Sequence, residues 1–246
     1  MAHAKQSMKL VVIVCVITGI CILAVFAGQI KEKLFSFREE NALKVWQEKV
    51  FKGKVLYQRI VTQDNDFLSA FSNRSASGMF YRINIDLNKG PMASWKWQVI
   101  KFPRKKEGAI KEGSWMEKDD YAARFYVIFP RFPFTQTLAL EYVWDKELPE
   151  GTILTSPYFK NIKIIVAESG QENMLKWVSE ERNVAEDFKK AFNRKTTPFH
   201  VGAIAVMSDA DNTATTAFAY YDEIKVGYED PLTAENQRTE TRKIGV

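Results

Sequence analysis

The stretch ASWKWQVI, residues 93–100, decides the fold class. Successive side chains of an extended chain point to opposite faces, so Trp95, Trp97 and Val99 share one side while Ser94, Lys96 and Gln98 share the other. One side is apolar and the other polar, which is the signature of a strand that packs on a core and meets water or a ligand opposite. Working outward, the same period of two runs through VLYQRIV (55–61), DFLSAFS (66–72) and GMFYRINI (78–85), with Asp, Asn, Ser and Gly between them as turn residues. Toward the C-terminus it continues in YAARFYVIF (121–129), TQTLALEYVW (135–144), NIKIIVAES (161–169), NMLKWVSEE (173–181), FHVGAIAVMS (199–208) and TTAFAYYDEIKVG (215–227). One helix interrupts these runs: Asn183 followed by Glu186 resembles a capping box, and Val184, Phe188 and Phe192 form an apolar stripe. It is expected to plug one end or edge of the sandwich.

About ten short strands, one or two short helices and no α/β alternation predict an all-β fold, an antiparallel jelly-roll-like β-sandwich. A closed barrel is the alternative. A parallel sheet is not expected, because the crossover helices it requires are missing from the pattern.

The chain divides around this unit. Residues 1–9 are short and basic, and residues 10–30, LVVIVCVITGICILAVFAGQI, are nearly all apolar and span roughly 31 Å as a helix, enough for a bilayer core. They are expected to be a transmembrane anchor, with a signal sequence cleaved near Ala27 as the alternative. Either way the C-terminal domain is exported, anchored to the cell membrane on the periplasmic side or secreted to the periplasm. Residues 31–52 place Leu43, Trp46 and Val50 at i, i+3 and i+7 and read as a juxtamembrane amphipathic helix or linker. Residues 53–228 form the β-sandwich, and the polar tail 229–246 is expected to be disordered.

Composition excludes several function classes. Cys15 and Cys21 both lie in the apolar run, so the exported part has no disulfide and no thiolate metal site. His200 is its one histidine and sits in an apolar strand, where a structural role is expected; neither a catalytic triad nor a histidine-rich zinc site fits. No P-loop or dinucleotide fingerprint is present. The net charge of +5 is small and dispersed, so nucleic acid is not an expected partner.

Three constellations remain. Glu141, Asp145 and Glu147 alternate along one run, and carboxylates on one strand face have a spacing compatible with glycoside hydrolysis, although a polar strand end gives the same pattern. Asp119 and Asp120 precede one apolar strand, and Asp209, Asp211 and Asn212 join two others. Such oxygen-rich loops suit calcium, and they also suit a tight turn whose side chains bond their own backbone. Aromatics form the third. Trp95, Trp97 and Trp177 are expected in the core, and Trp115, Tyr142 and Trp144 are expected to be available for stacking on sugar rings. Lys105 in the long loop 102–117 reads as part of a solvated turn.

Several blocks in one order resemble a bacterial family of unknown function, domain of unknown function 3047. They are Ala76-Ser77-Gly78, Trp95-Lys96-Trp97, Asp119 to Arg124, Tyr142-Val143-Trp144, Arg182-Asn183-Val184 with Asp187-Phe188, and Asp209 to Thr213. The resemblance spans about residues 46–228 and implies a single exported domain, with no reaction attached. It directs attention to Arg124, which in mid-strand needs a carboxylate partner from one of the acidic loops. The expectation is a ligand-binding site of Trp115, Asp119, Asp120, Arg124, Tyr142 and Trp144, with Asp209, Asp211 and Asn212 as metal ligands. The expected partner is a glycan or an envelope protein, with the membrane reached through residues 10–30.

Overall fold

A computed structural model describes residues 32–105, 119–194 and 200–228. The expected anchor at 10–30, the tail at 229–246, most of the long loop and Trp115 lie outside the described residues. Among those that are described, no helix is long and apolar enough to cross a membrane.

The strands in chain order are β1 (Glu32–Phe35), β2 (Gln47–Lys52), β3 (Leu56–Val61), β4 (Asp66–Asn73), β5 (Ala76–Asp86), β6 (Met92–Lys101) and β7 (Arg124–Phe129). They continue with β8 (Leu138–Asp145), β9 (Ile153–Thr155), β10 (Ile162–Ser169), β11 (Val178–Asn183), β12 (His200–Asp209) and β13 (Thr216–Gly227), and helix α1 (Val184–Phe192) follows β11. One sheet has the order β11-β6-β13-β4-β3, with β1 paired to β13, and the other runs β2-β5-β12-β7-β8-β10-β9. The two sheets face each other across one core, which is the expected sandwich.

Alternation builds that core. Trp95, Trp97 and Val99 of β6 are buried while Ser94, Lys96 and Gln98 are half-exposed. From the opposite sheet, β7 and β8 contribute Phe125, Val127, Leu140, Tyr142 and Trp144 to the same cluster. The rings meet across the interface, Trp95 stacking on Phe125 at 4.3 Å and Trp97 lying 6.1 Å from Trp144. Such aromatic pairs add to the burial that holds the sheets together. Helix α1 covers one edge. The Asn183 side chain accepts from the amides of Ala185 and Glu186, both at 3.1 Å, and Phe188 packs 5.0 Å from Phe129. Gly202 marks a second close approach, because a Cβ there would stand 2.4 Å from Pro130 Cγ.

Four expectations are corrected. The described part of the expected juxtamembrane helix or linker, residues 32–52, holds two strands and a single 3-10 turn at Ala42–Val45 in place of an amphipathic helix. Trp46 is buried against Phe35 and Tyr81, and the residues after it pair with β5 as an edge strand. The lysine-rich QEKVFK of β2 hides that role, since charged side chains are how exposed edges avoid pairing with another chain. Next, β10 pairs with β8 in parallel, through the short antiparallel β9 rather than a crossover helix. Residues 173–177 precede the strand instead of belonging to it, which leaves Trp177 37% exposed. Finally, His200 opens β12 in an exposed position rather than a buried one.

Candidate functional site

The outer face of the seven-stranded sheet carries the site. Because Phe125 and Val127 of β7 point into the core, Arg124, Tyr126 and Ile128 point outward, and the same alternation sends Ala139 and Glu141 of β8 and Ala205, Met207 and Asp209 of β12 to that face. These side chains, with Gly78 and Phe80 of β5, form the floor of a cleft of about 140 Å³. Lys49 and Phe51 of β2 border it, and so do Ser156 and Tyr158 from the β9–β10 connection. Phe80, Tyr126 and Tyr158 give the cleft aromatic surface, and Asp119, Asp211 and Asn212 close its acidic end.

Arg124 organises that end. Its Nε donates to Asp209 Oδ1 at 2.9 Å, and Nη2 donates to Asp209 Oδ2 and, at 2.7 Å, to the Asp119 carbonyl. Nη1 donates to Glu141 Oε1 and, in a longer contact of 3.4 Å, to the Tyr126 hydroxyl. All five guanidinium N–H donors therefore have acceptors. The Tyr121 ring lies beneath, 4.6 Å from the guanidinium carbon. Arg124 is only 3% exposed, and burial of such a cation requires this degree of pairing.

The two acidic loops converge around it. Asp120 accepts from the amides of Asn212 and Thr213 at 3.2 and 2.6 Å, and Asp209 Oδ1 accepts from the Tyr121 amide at 2.9 Å. Asn212 Nδ2 donates to the Asp119 carbonyl at 3.1 Å, while its Oδ1 accepts from the Tyr158 hydroxyl at 2.7 Å. Lys52 adds a bond to the Asp211 carbonyl at 2.9 Å. Carboxylate oxygens of Asp120, Asp209 and Asp211 lie within 4.8 Å of one another, a spacing that suits a hard cation. Both oxygens of Asp120 and both of Asp209 are engaged by protein donors, as is the oxygen of Asn212, so a calcium ion would share ligands already fastening the loops.

Asp119 differs from its neighbours. It is 4% exposed, and its Oδ1 accepts no hydrogen bond from any described residue. Burial pushes its carboxyl up to about 7; the Arg124 charge opposes this and Glu141 adds to it. Asp145 goes the other way. Burial would raise it, but Lys105 at 2.8 Å and the amides of Leu148 and Glu147 hold it below the usual carboxylate range. Lys105 is thus a partner of Asp145 and of the Tyr121 ring, 3.8 Å away, rather than part of a solvated turn.

Of the expected ligand-binding residues, Asp119 and Arg124 line the cleft and Asp120 fastens its end. Tyr142 and Trp144 are corrected. Both are fully buried on the inward side of β8, the tyrosine donating to Asp187 at 2.9 Å and the tryptophan to the Gly170 carbonyl at 3.0 Å. They share a face with Leu138 and Leu140, which the apolar-polar pattern left ambiguous because β8 is buried on both faces. The candidate hydrolytic carboxylates do not assemble: Glu141 is in the cleft, Asp145 caps the following turn, and Glu147 is exposed. Sequence reasoning missed Tyr126, Phe80 and Tyr158. The one signal was that Tyr126 lies two residues from Arg124 and so shares its face.

A family model described as a protein of unknown function, DUF3047, matches residues 44–225. The chain belongs to this family. No curated protein matches the sequence. Among solved structures, the DUF3047 chain is similar to a family 11 carbohydrate-binding module of a cellulosomal cellulase from Clostridium thermocellum, with 11% identity over 82% of this chain and 97% of that one and a TM-score of 0.44. It is also similar to the cellulose induced protein Cip1, with 6% identity, 80% and 97% coverage and a TM-score of 0.45. A third is the xyloglucanase domain of NopAA from Sinorhizobium fredii in complex with cellobiose, with 10% identity, 75% and 93% coverage and a TM-score of 0.42. These are likenesses of chain path alone.

Proposed function

We propose that this DUF3047 protein is a non-catalytic glycan-binding module, exported and held at the membrane by residues 10–30. The observation that carries the reading is the coexistence, in one cleft, of half-buried aromatic faces and a buried carboxyl at its end. A pyranose presents C–H groups on its ring faces and hydroxyls around its rim; Tyr126 and Tyr158 offer surface for the first and Asp119 an acceptor for the second. Arg124 acts as a support, since its donors are all committed within the protein. Hydrolysis is not part of this reading, because the carboxyls of Glu141, Asp145 and Glu147 serve three separate places. The test is calorimetric titration of the full chain against neutral, amino and acidic oligosaccharides, with each hit checked for cleavage. Binding that Tyr126→Ala and Tyr158→Ala weaken supports the module; absence of binding across the panel removes it.

A protein-interaction reading has its own observation. On the outer face of the other sheet, Phe71, Phe218, Tyr220, Phe67 and Trp177 form a continuous aromatic strip, with successive ring centroids 5.7, 5.0, 4.5 and 5.4 Å apart. Such a strip away from the acidic loops fits docking to another envelope component. Loss of a co-purifying protein on Trp177→Ser, with glycan binding intact, would favour it.

A further inference from the structure

We infer that the cleft selects a sugar bearing a protonated amine, whose N–H groups donate to Asp119 at the acidic end. This rests on the glycan reading and narrows the class of sugar.

Three observations converge on it. Among the described residues lining the cleft, the carboxylates of Asp119, Glu141, Asp209 and Asp211 face only two cations, Arg124 and Lys49. Outside the lining, Lys52 pairs with Asp211 at 3.5 Å, while Asp120, held by backbone amides, adds one more carboxylate, so the excess stands. Secondly, Arg124 has no uncommitted donor, so it cannot receive the carboxylate of a uronic acid or a sugar phosphate. Thirdly, Asp119 Oδ1 accepts no hydrogen bond among the described residues, and the nearest guanidinium nitrogen, Arg124 Nη1, stands 3.6 Å away. A buried acceptor left in this state is costly unless a ligand supplies the donor.

An ammonium meets all three conditions. It carries three donors and no acceptor, and it brings the positive charge that the cleft is short of. A hydroxyl would supply a donor but leave the charge excess, while an anionic sugar would increase it. The groups acting on Asp119 are Arg124 and Lys105, which favour its ionised form, and Glu141 and Asp120, which oppose it.

The experiment titrates the full chain at pH 6 with an oligomer of glucosamine, the same oligomer N-acetylated, and an oligomer of galacturonic acid. The free amine is expected to bind about tenfold tighter than its acetylated twin, the gain of one charge-assisted hydrogen bond. The uronate should bind weakest, and Asp119→Asn should bring the first two within about twofold. The comparison between the twin oligomers needs no variant, so it stands even if Asp119→Asn fails to fold. Equal or tighter binding of the acetylated oligomer overturns the inference, as does an amine preference unmoved in folded Asp119→Asn. Loss of the preference in millimolar calcium also overturns it, because the excess charge would then belong to a metal. Binding of other glycans without these oligomers defeats the amine inference alone, whereas no glycan binding at all defeats the reading beneath it.

Discussion

Arg124 and Asp209 stand 85 residues apart in sequence and meet as a two-point pair on adjacent strands, with Nε 2.9 Å from Oδ1 and Nη2 bonded to Oδ2. The fork geometry of a guanidinium matches a carboxylate in two places at once, which fixes angle as well as distance. The pair joins the end of β12, where one acidic loop begins, to the start of β7, where the other ends, and so sets the shape of the cleft's acidic end.

Removing that cation strands buried carboxylates. Arg124→Met is expected to cost about 3–5 kcal/mol, and Arg124→Lys to lose much of the same because an ammonium cannot serve Asp209 and Glu141 together. Urea denaturation of both variants checks this. A loss below 1 kcal/mol in either, against the roughly 0.5 kcal/mol typical of a neutral surface change, would mean that the cluster relaxes around the missing charge.

Asp119 should impose a pH dependence on stability. Its folded carboxyl titrates near 7, above the roughly 3.9 of an unfolded chain, so the folded state holds the proton more tightly. The contribution is fully favourable below about pH 4 and is lost as pH rises through about 7. Asp119→Asn keeps the shape without the charge. It should flatten the profile and raise stability at pH 8 by about 1–3 kcal/mol while weakening ligand binding, which unfolding curves from pH 5 to pH 8 would reveal.

Tyr142 and Trp144 should behave as core residues and not as ligand contacts. Trp144→Ala is expected to cost about 3–5 kcal/mol through the cavity it leaves. Tyr142→Phe should cost about 1 kcal/mol for the lost bond to Asp187, which Arg182 still holds. Neither folded variant should alter glycan affinity; a changed affinity in titration would return them to the site.

The start of α1 depends on one side chain. Asn183→Ala removes the acceptor for two helix amides and should lower stability by about 1 kcal/mol, measured by thermal or urea unfolding.

What could be read from the sequence followed from burial on one side only. Trp95, Trp97 and Val99 alternate with Ser94, Lys96 and Gln98 because β6 has one face in the core, and Asn183 announces its helix through local chemistry. Both signals act within a few residues. On β8 the alternation fails, since Leu138 to Asp145 are all buried, and which face holds Tyr142 depends on Tyr121, Val143 and Ile164 packing on the outside. The acidic loops were visible as acidic loops. Their convergence on Arg124 was not, because it is made by strands brought together across the whole chain.

The first and last described strands carry a mechanical consequence. Glu32 pairs with Gly227 and Phe35 with Ile224, so the start of β1 lies beside the end of β13. Tension applied across those two points loads their ladder one rung at a time, like the teeth of a zipper, instead of shearing every rung together. Under force the domain peels from that corner, while the strands that floor the cleft belong to the other sheet and stay outside the line of pull.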